Sequence, residues 1–258
     1  MVITDKFVYI HMPKTGGTFV THVLSQLHSP VEGRPDRYGP ISVQEPKHGT
    51  CHDIPVPHRK KPVLSTVRNP YEWYVSQYEF AWWKRTFLYQ PESYPTLAGS
   101  AVESVLQRFQ DDHSHFPEIA FEEFVDLCCR AAFAFKDQPQ LDLGLYTKSF
   151  VAYHFQQPAM LLPALSQKYI ASGGYRPDMF NVRFIRTDLL NQQLLDFLRS
   201  MEYREEDLQF LPNLKKILPD DRGRREDQKW EKYYTNELRE LIRQKDRALF
   251  EMFPDFDI

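Results

Sequence analysis

Apolar residues along this chain fall into short runs of strand length and longer stretches with a helical period. Phe7-Val8-Tyr9-Ile10 is the first short run. Phe19, Val20, Val23, Leu24 and Leu27 then share one face of a helix that ends before Pro30. Val63-Leu64-Ser65-Thr66-Val67 is a second strand-length run, and Asn69-Pro70-Tyr71-Glu72 follows it. There Asn69 fits an N-cap, Pro70 the first helical position and Glu72 the third, as in a capping box. Tyr71, Tyr74, Val75, Tyr78, Ala81 and Trp82 recur at helical spacing behind that cap. Residues 181–190 predict a further strand and a helix capped by Asp188, with Leu190, Leu194, Phe197, Leu198 and Met201 as its buried stripe. A helix is expected over residues 118–135, and another near the end carries Leu238, Leu241, Ile242 and Leu249. Strands followed by helices indicate an α/β protein.

The connection between the first strand and helix, His11-Met12-Pro13-Lys14-Thr15-Gly16-Gly17-Thr18, carries chemistry. Two of the 10 glycines of the chain stand here side by side. Residues without side chains let backbone N–H groups crowd around a phosphate, and the helix directs its unpaired N–H groups and positive dipole end to the same place. Lys14 adds a full charge. The lysine precedes the glycines, unlike the Gly-x-x-x-x-Gly-Lys-Ser/Thr order of the nucleoside-triphosphate loop. Lys14-Thr15-Gly16 also spells the Lys-Thr-Gly of β-lactamases, but the chain has no Ser-x-x-Lys or Ser-Asp-Asn partner. Alone, the turn is compatible with an ordinary strand-to-helix connection. Arg68, at the carboxyl end of the second strand, stands where open α/β sheets bind ligands, and a guanidinium there can grip a phosphate through two N–H bonds. Alone, Arg68 also fits a salt bridge at a helix start, and Ser76 fits a plain helical serine.

The two segments together, His-x-Pro-Lys-Thr-Gly-Gly-Thr and, about fifty residues on, Arg-x-Pro-x5-Ser-x-Tyr, resemble the sulfotransferases that use 3′-phosphoadenosine 5′-phosphosulfate (PAPS). The resemblance is closest to the carbohydrate sulfotransferase branch and its bacterial relatives. It implies a P-loop-like three-layer α/β/α sandwich with a central, mostly parallel sheet, formed by residues 1–258 as one sulfotransferase domain. It assigns the 5′-phosphosulfate to Lys14 and the backbone of Thr15, Gly16, Gly17 and Thr18, and the 3′-phosphate to Arg68 and Ser76. Many members carry arginine where this chain has Trp73, and often Glu where Asp188 stands. An Arg-rich loop commonly closes over the nucleotide in this family. Arg222, Gly223 and Arg225 are the candidates here, although a solvated charged loop would read the same way.

Sulfuryl transfer needs a group to take the acceptor proton, and histidine suits that task with an unperturbed pKa of about 6.5. The family often places its histidine between the two motifs in a Lys-His-x-Thr setting. His48 matches that pattern better than His52, and His11 reads as structural. With His48 as base, the rate is expected to rise through about pH 6–7. His48, Cys51, His52 and Asp53 are also metal-ligand types at close spacing, but Gly49 and Pro55 interrupt any helix that would align them. No metal is required by the sulfuryl-transfer scheme.

Composition bounds the rest. The 258 residues are 42 % hydrophobic, enough for a full core, and several of the 19 prolines lie between residues 30 and 62, which reads as an irregular connection rather than a boundary. The basic stretch His58-Arg59-Lys60-Lys61 reads as a solvated approach to the second strand. A net charge of −3 argues against nucleic acid or another general polyanion as partner. Three cysteines, Cys51, Cys128 and Cys129, are too few for a disulfide framework and suit a reducing compartment. The sequence has no apolar segment of membrane-spanning length. A cytoplasmic, bacterial-type enzyme is the expectation, where the Golgi members of the family carry an anchor. The expected acceptor is a small-molecule or glycan hydroxyl, less favourably an amine. The aromatics Trp82, Trp83, Phe87, Tyr89, Tyr94, Phe116, Phe121, Tyr146, Phe150, Tyr153 and Phe155 are read mostly as core. Two other classes fit parts of the pattern: a P-loop kinase-like phosphotransferase using ATP–Mg, and a non-catalytic nucleotide-binding protein.

Overall fold

A computed structural model of the chain describes residues 1–29, 37–45, 47–86, 100–133, 142–217 and 228–257. Strands β1 (Val2–Ile3), β2 (Val8–Ile10), β3 (Ser42–Val43), β4 (Val63–Val67) and β5 (Val182–Arg186) form one mixed sheet in the order β3-β1-β2-β4-β5. Among the described residues the helices are α1 (Gly17–His28), α2 (Pro70–Phe80), α3 (Trp82–Thr86), α4 (Ser100–Asp112), α5 (Phe121–Phe133) and α6 (Leu145–His154). They continue as α7 (Pro158–Ala164), α8 (Gln167–Ala171), α9 (Leu190–Ser200), α10 (Glu205–Leu208), α11 (Asn236–Lys245) and α12 (Arg247–Met252). The chain folds as two compact units. The first takes Met1–Arg68 and the described part of Asn181–Arg222, and the second takes Asn69–Phe180 and the described part of Gly223–Ile258.

The first unit holds the whole sheet. β4 runs parallel to β2 and to β5, with Tyr9 opposite Leu64 and Thr66 opposite Ile185. β1 turns the sheet antiparallel, pairing Val2 with Tyr9 on one side and with Val43 on the other. The protein is therefore α/β with a partly parallel sheet. Because side chains alternate across a strand, Tyr9, Leu64 and Ile185 share one face. Phe19, Val20, Val23 and Leu24 of α1 and Leu190, Leu194, Phe197 and Leu198 of α9 pack with them in one hydrophobic core. All five residues of β4 are buried, as its Val-Leu-Ser-Thr-Val run without charged residues suggests for a strand covered on both faces.

The helix after β5 departs from expectation in one detail. Asp188 does not cap α9: it lies in a 3-10 turn, Thr187–Leu189, and its carboxylate takes the Arg186 guanidinium at 2.6 Å. α9 begins at Leu190 without a side-chain cap.

The second unit is helical. Asn69 caps α2 by accepting from Tyr71 N, with Pro70 at the first helical position, as its sequence predicts. Trp82, Trp83, Tyr146, Phe150, Tyr153 and Phe155 are buried, which makes them core. Phe87, Tyr89 and Tyr94 lie outside the described residues. The amphipathic C-terminal stretch is broken into α11 and α12 at Asp246. That carboxylate is fully buried, accepting from Thr147 N at 2.7 Å and from the Tyr74 hydroxyl at 2.8 Å. No helix among the described residues is long and apolar enough to cross a membrane.

Candidate functional site

The loop from β2 into α1 is built from two left-handed residues flanking Thr15. Lys14 has φ 63° and Gly16 φ 101°. Gly16 adopts this conformation at little cost, whereas a lysine there costs about 1–2 kcal/mol. The surrounding side chains hold the loop in place. Thr15 is fully buried, and its hydroxyl donates to Met12 O at 2.8 Å and lies 2.7 Å from Thr66 Oγ1. Thr66 Oγ1 is in turn 3.0 Å from the Tyr9 hydroxyl, whose pKa burial pushes up. The Thr187 hydroxyl lies 2.7 Å from Thr15 O and 3.0 Å from Val67 O, so it bridges the loop to the end of β4. Arg68 Nη1 donates to Lys14 O at 3.2 Å.

These contacts orient the loop peptides. In a trans peptide the N–H points opposite to the C=O. With Lys14 O taken by Arg68 and Thr15 O by Thr187, the N–H groups of Thr15 and Gly16 face away from those partners. The N–H groups of Gly17 and Thr18 come next, ahead of the first helical hydrogen bonds, which Phe19 and Val20 make to Gly16 O. Successive N–H groups ahead of the first helical hydrogen bonds at a helix N-terminus form an anion-binding arrangement. Side chains at Gly16 or Gly17 would spoil it. A Cβ on Gly16 would stand 2.9 Å from Leu190 Cδ2, and one on Gly17 would collide with the ring of His11.

His11 and His48 stand together at this helix start. Their rings meet edge to face, 4.8 Å apart at 77°. His48 Nδ1 lies 2.9 Å from His11 O. A carbonyl only accepts, so Nδ1 of a neutral His48 carries the proton and the ring's lone pair is on Nε2. Burial lowers the His48 pKa to about 4, partly opposed by that hydrogen bond, and burial likewise pushes His11 well below the usual range. For His48 as a base, the limb is therefore expected below pH 6–7, because burial first and the Lys47 ammonium next make the imidazole resist protonation. His52 is exposed on the 3-10 turn Cys51–Asp53. That turn is fixed by Thr50, whose N–H and hydroxyl both donate to Asp53 Oδ2, at 2.7 and 2.9 Å. No group of three or more His, Cys, Asp or Glu side chains able to hold a metal ion occurs among the described residues.

Lys14, Thr15, Gly16, Gly17, Thr18, His48 and Arg68 thus belong to the first unit. Ser76 belongs to the second, buried in α2. Trp73, where related motifs carry arginine, is 2 % exposed and stacks on Tyr146 with centroids 4.5 Å apart. It is a core residue. Arg222, Gly223 and Arg225 lie outside the described residues. Sequence reasoning missed Thr66 and Thr187, whose hydroxyls brace the loop. Their signal is position: Thr66 is a polar residue inside an apolar strand, and Thr187 directly follows the last residue of β5. No family model, curated protein or solved structure matches the chain.

Proposed function

We propose that this protein is a PAPS-dependent sulfotransferase that moves a sulfuryl group to a hydroxyl acceptor. The observation that carries the reading is the braced loop, with Lys14 and Gly16 in left-handed backbone ahead of α1 and His48 beside it. In this scheme the N–H groups of Thr15, Gly16, Gly17 and Thr18 receive the 5′-phosphosulfate. The acceptor oxygen attacks sulfur as the bond from sulfur to the bridging oxygen breaks. Adenosine 3′,5′-bisphosphate leaves, Lys14 offsets the charge growing on the bridging oxygen, and His48 Nε2 takes the acceptor proton. One such donor is worth about 3 kcal/mol of transition-state stabilisation. The resemblance assigns the 3′-phosphate to Arg68 and Ser76. Arg68 also grips Lys14 O, so its loss is expected to disturb the donor loop as well.

With this activity go a P-loop-like three-layer sandwich, a cytoplasmic setting and no nucleic-acid partner. Three cysteines, Cys51, Cys128 and Cys129, are too few for a disulfide framework, which supports the reducing setting. The order of Lys14 before Gly16 and Gly17 favours PAPS over ATP–Mg. Transfer of sulfur label from PAPS to a panel of hydroxyl and amine acceptors tests the proposal. Labelled product is the expected result. Phosphoryl transfer from ATP–Mg with no sulfuryl transfer would overturn it.

A further inference from the structure

His11 reads in the sequence as a structural residue of the loop motif, yet it touches both halves of the candidate site. Its ring occupies the space that a side chain at Gly17 would need, against the first turn of α1. The same ring meets His48 edge to face at 4.8 Å, and the carbonyl of the same residue takes His48 Nδ1 at 2.9 Å. One residue therefore holds His48 twice, by ring and by backbone, and is itself seated on the anion loop. His11 is 4 % exposed, and its Nδ1 is buried with no hydrogen-bond partner among the described residues.

We propose that His11 is a positioning residue: its ring, wedged between Gly17 and His48, fixes the place of His48 beside the anion loop, while its carbonyl sets the His48 tautomer. The catalytic consequence rests on the reading of the loop as a sulfuryl-donor site; the positioning itself does not. Gly17 is required for this seat, because a methyl group there would displace the ring. The seat also keeps water from His48. Burial is the largest influence on His48, with the Lys47 ammonium and the Met1 amino group acting in the same direction and Glu45 against them. Removal of the His11 ring opens one side of His48 to solvent, and the imidazole then moves back towards its ordinary value of about 6.5.

The test is an NMR titration of the His48 ring in the full chain, as wild type, His11→Phe and His11→Ala. His48 is expected to titrate near pH 4 in the wild type. Phe keeps a flat ring on Gly17, removes the buried unpaired nitrogen and is expected to hold His48 within about half a unit of that value. Ala is expected to raise it by about one unit or more. Should His11→Ala fail to fold, His11→Asn also leaves the seat open and is read the same way. Unchanged titration in the open-seat variant, or a Phe variant that shifts as far as Ala, would overturn the proposal. Turnover is the second arm: kcat is expected to fall about tenfold in His11→Ala and to survive in His11→Phe, with KM for PAPS unchanged within about threefold. If no form transfers sulfuryl groups, the functional reading fails while the titration still decides the role of His11.

Discussion

At Lys14 a charged residue sits in left-handed backbone that glycine would occupy more cheaply, and strain of this kind persists where the surroundings fix it and function uses it. The two contributions separate by substitution. Lys14→Gly is expected to raise folding stability by about 0.5–1 kcal/mol in denaturant melts, because glycine accepts the conformation. Lys14→Ala keeps the strain and gives no such gain. Both are expected to lose turnover by about 100-fold or more. Wild-type turnover in either would remove Lys14 from the chemistry. His48 supplies the pH prediction. In the proposed scheme its deprotonated form is the active one, and its pKa lies below the ordinary value, so kcat/KM is expected to be flat from about pH 6 to 8 and to fall only towards pH 4. A limb near pH 6–7 would mean that His48 is not the base or is not buried as described.

At the scale of elements, the turns after β2 and β5 cooperate through a hydroxyl. Thr187→Val keeps the shape and removes the donor to Thr15 O and Val67 O. It is expected to cost about 1–3 kcal/mol and to weaken nucleotide binding, both measurable by calorimetry. The junction of α11 and α12 gives a separate prediction. The Asp246 pKa is raised from 3.8 to about 6 by burial, against the donors of Thr147 and Tyr74. A carboxyl whose pKa is raised on folding stabilises fully below the unfolded value and loses that contribution as pH rises through the folded one. Stability is therefore expected to drop by about 1 kcal/mol between pH 5 and 7 through this group, and Asp246→Asn is expected to abolish that part of the slope. Equal slopes in the two proteins would contradict it.

Elements with a strong period were legible in the sequence: β2, α1, β4, α2 with its Asn69 cap, and α9 all stand where the apolar pattern predicts them. The end effects were not. Asp188 has the right chemistry for a cap, but Arg186 two residues earlier competes for it, and a helix pattern cannot weigh the two. The break at Asp246 depends on Thr147 and Tyr74, far away in sequence. For the same reason the loop residues could be named from their motif, while the hydroxyls that brace the loop could not.

At the scale of the molecule, a mixed sheet with β2, β4 and β5 parallel brings the loop after β2 and the ends of β4 and β5 to one edge, which is where Lys14, Arg68 and Thr187 gather. A chain with net charge −3 has no general attraction for polyanions, so anion binding has to be local. Isothermal titration with adenosine 3′,5′-bisphosphate, set against ATP–Mg and repeated on Lys14→Ala and Arg68→Ala, measures that local binding directly. The account predicts saturable binding of the bisphosphate, weakened about tenfold or more in each variant, and weaker binding of ATP–Mg. Preference for ATP–Mg, or bisphosphate affinity unchanged by both substitutions, would contradict it.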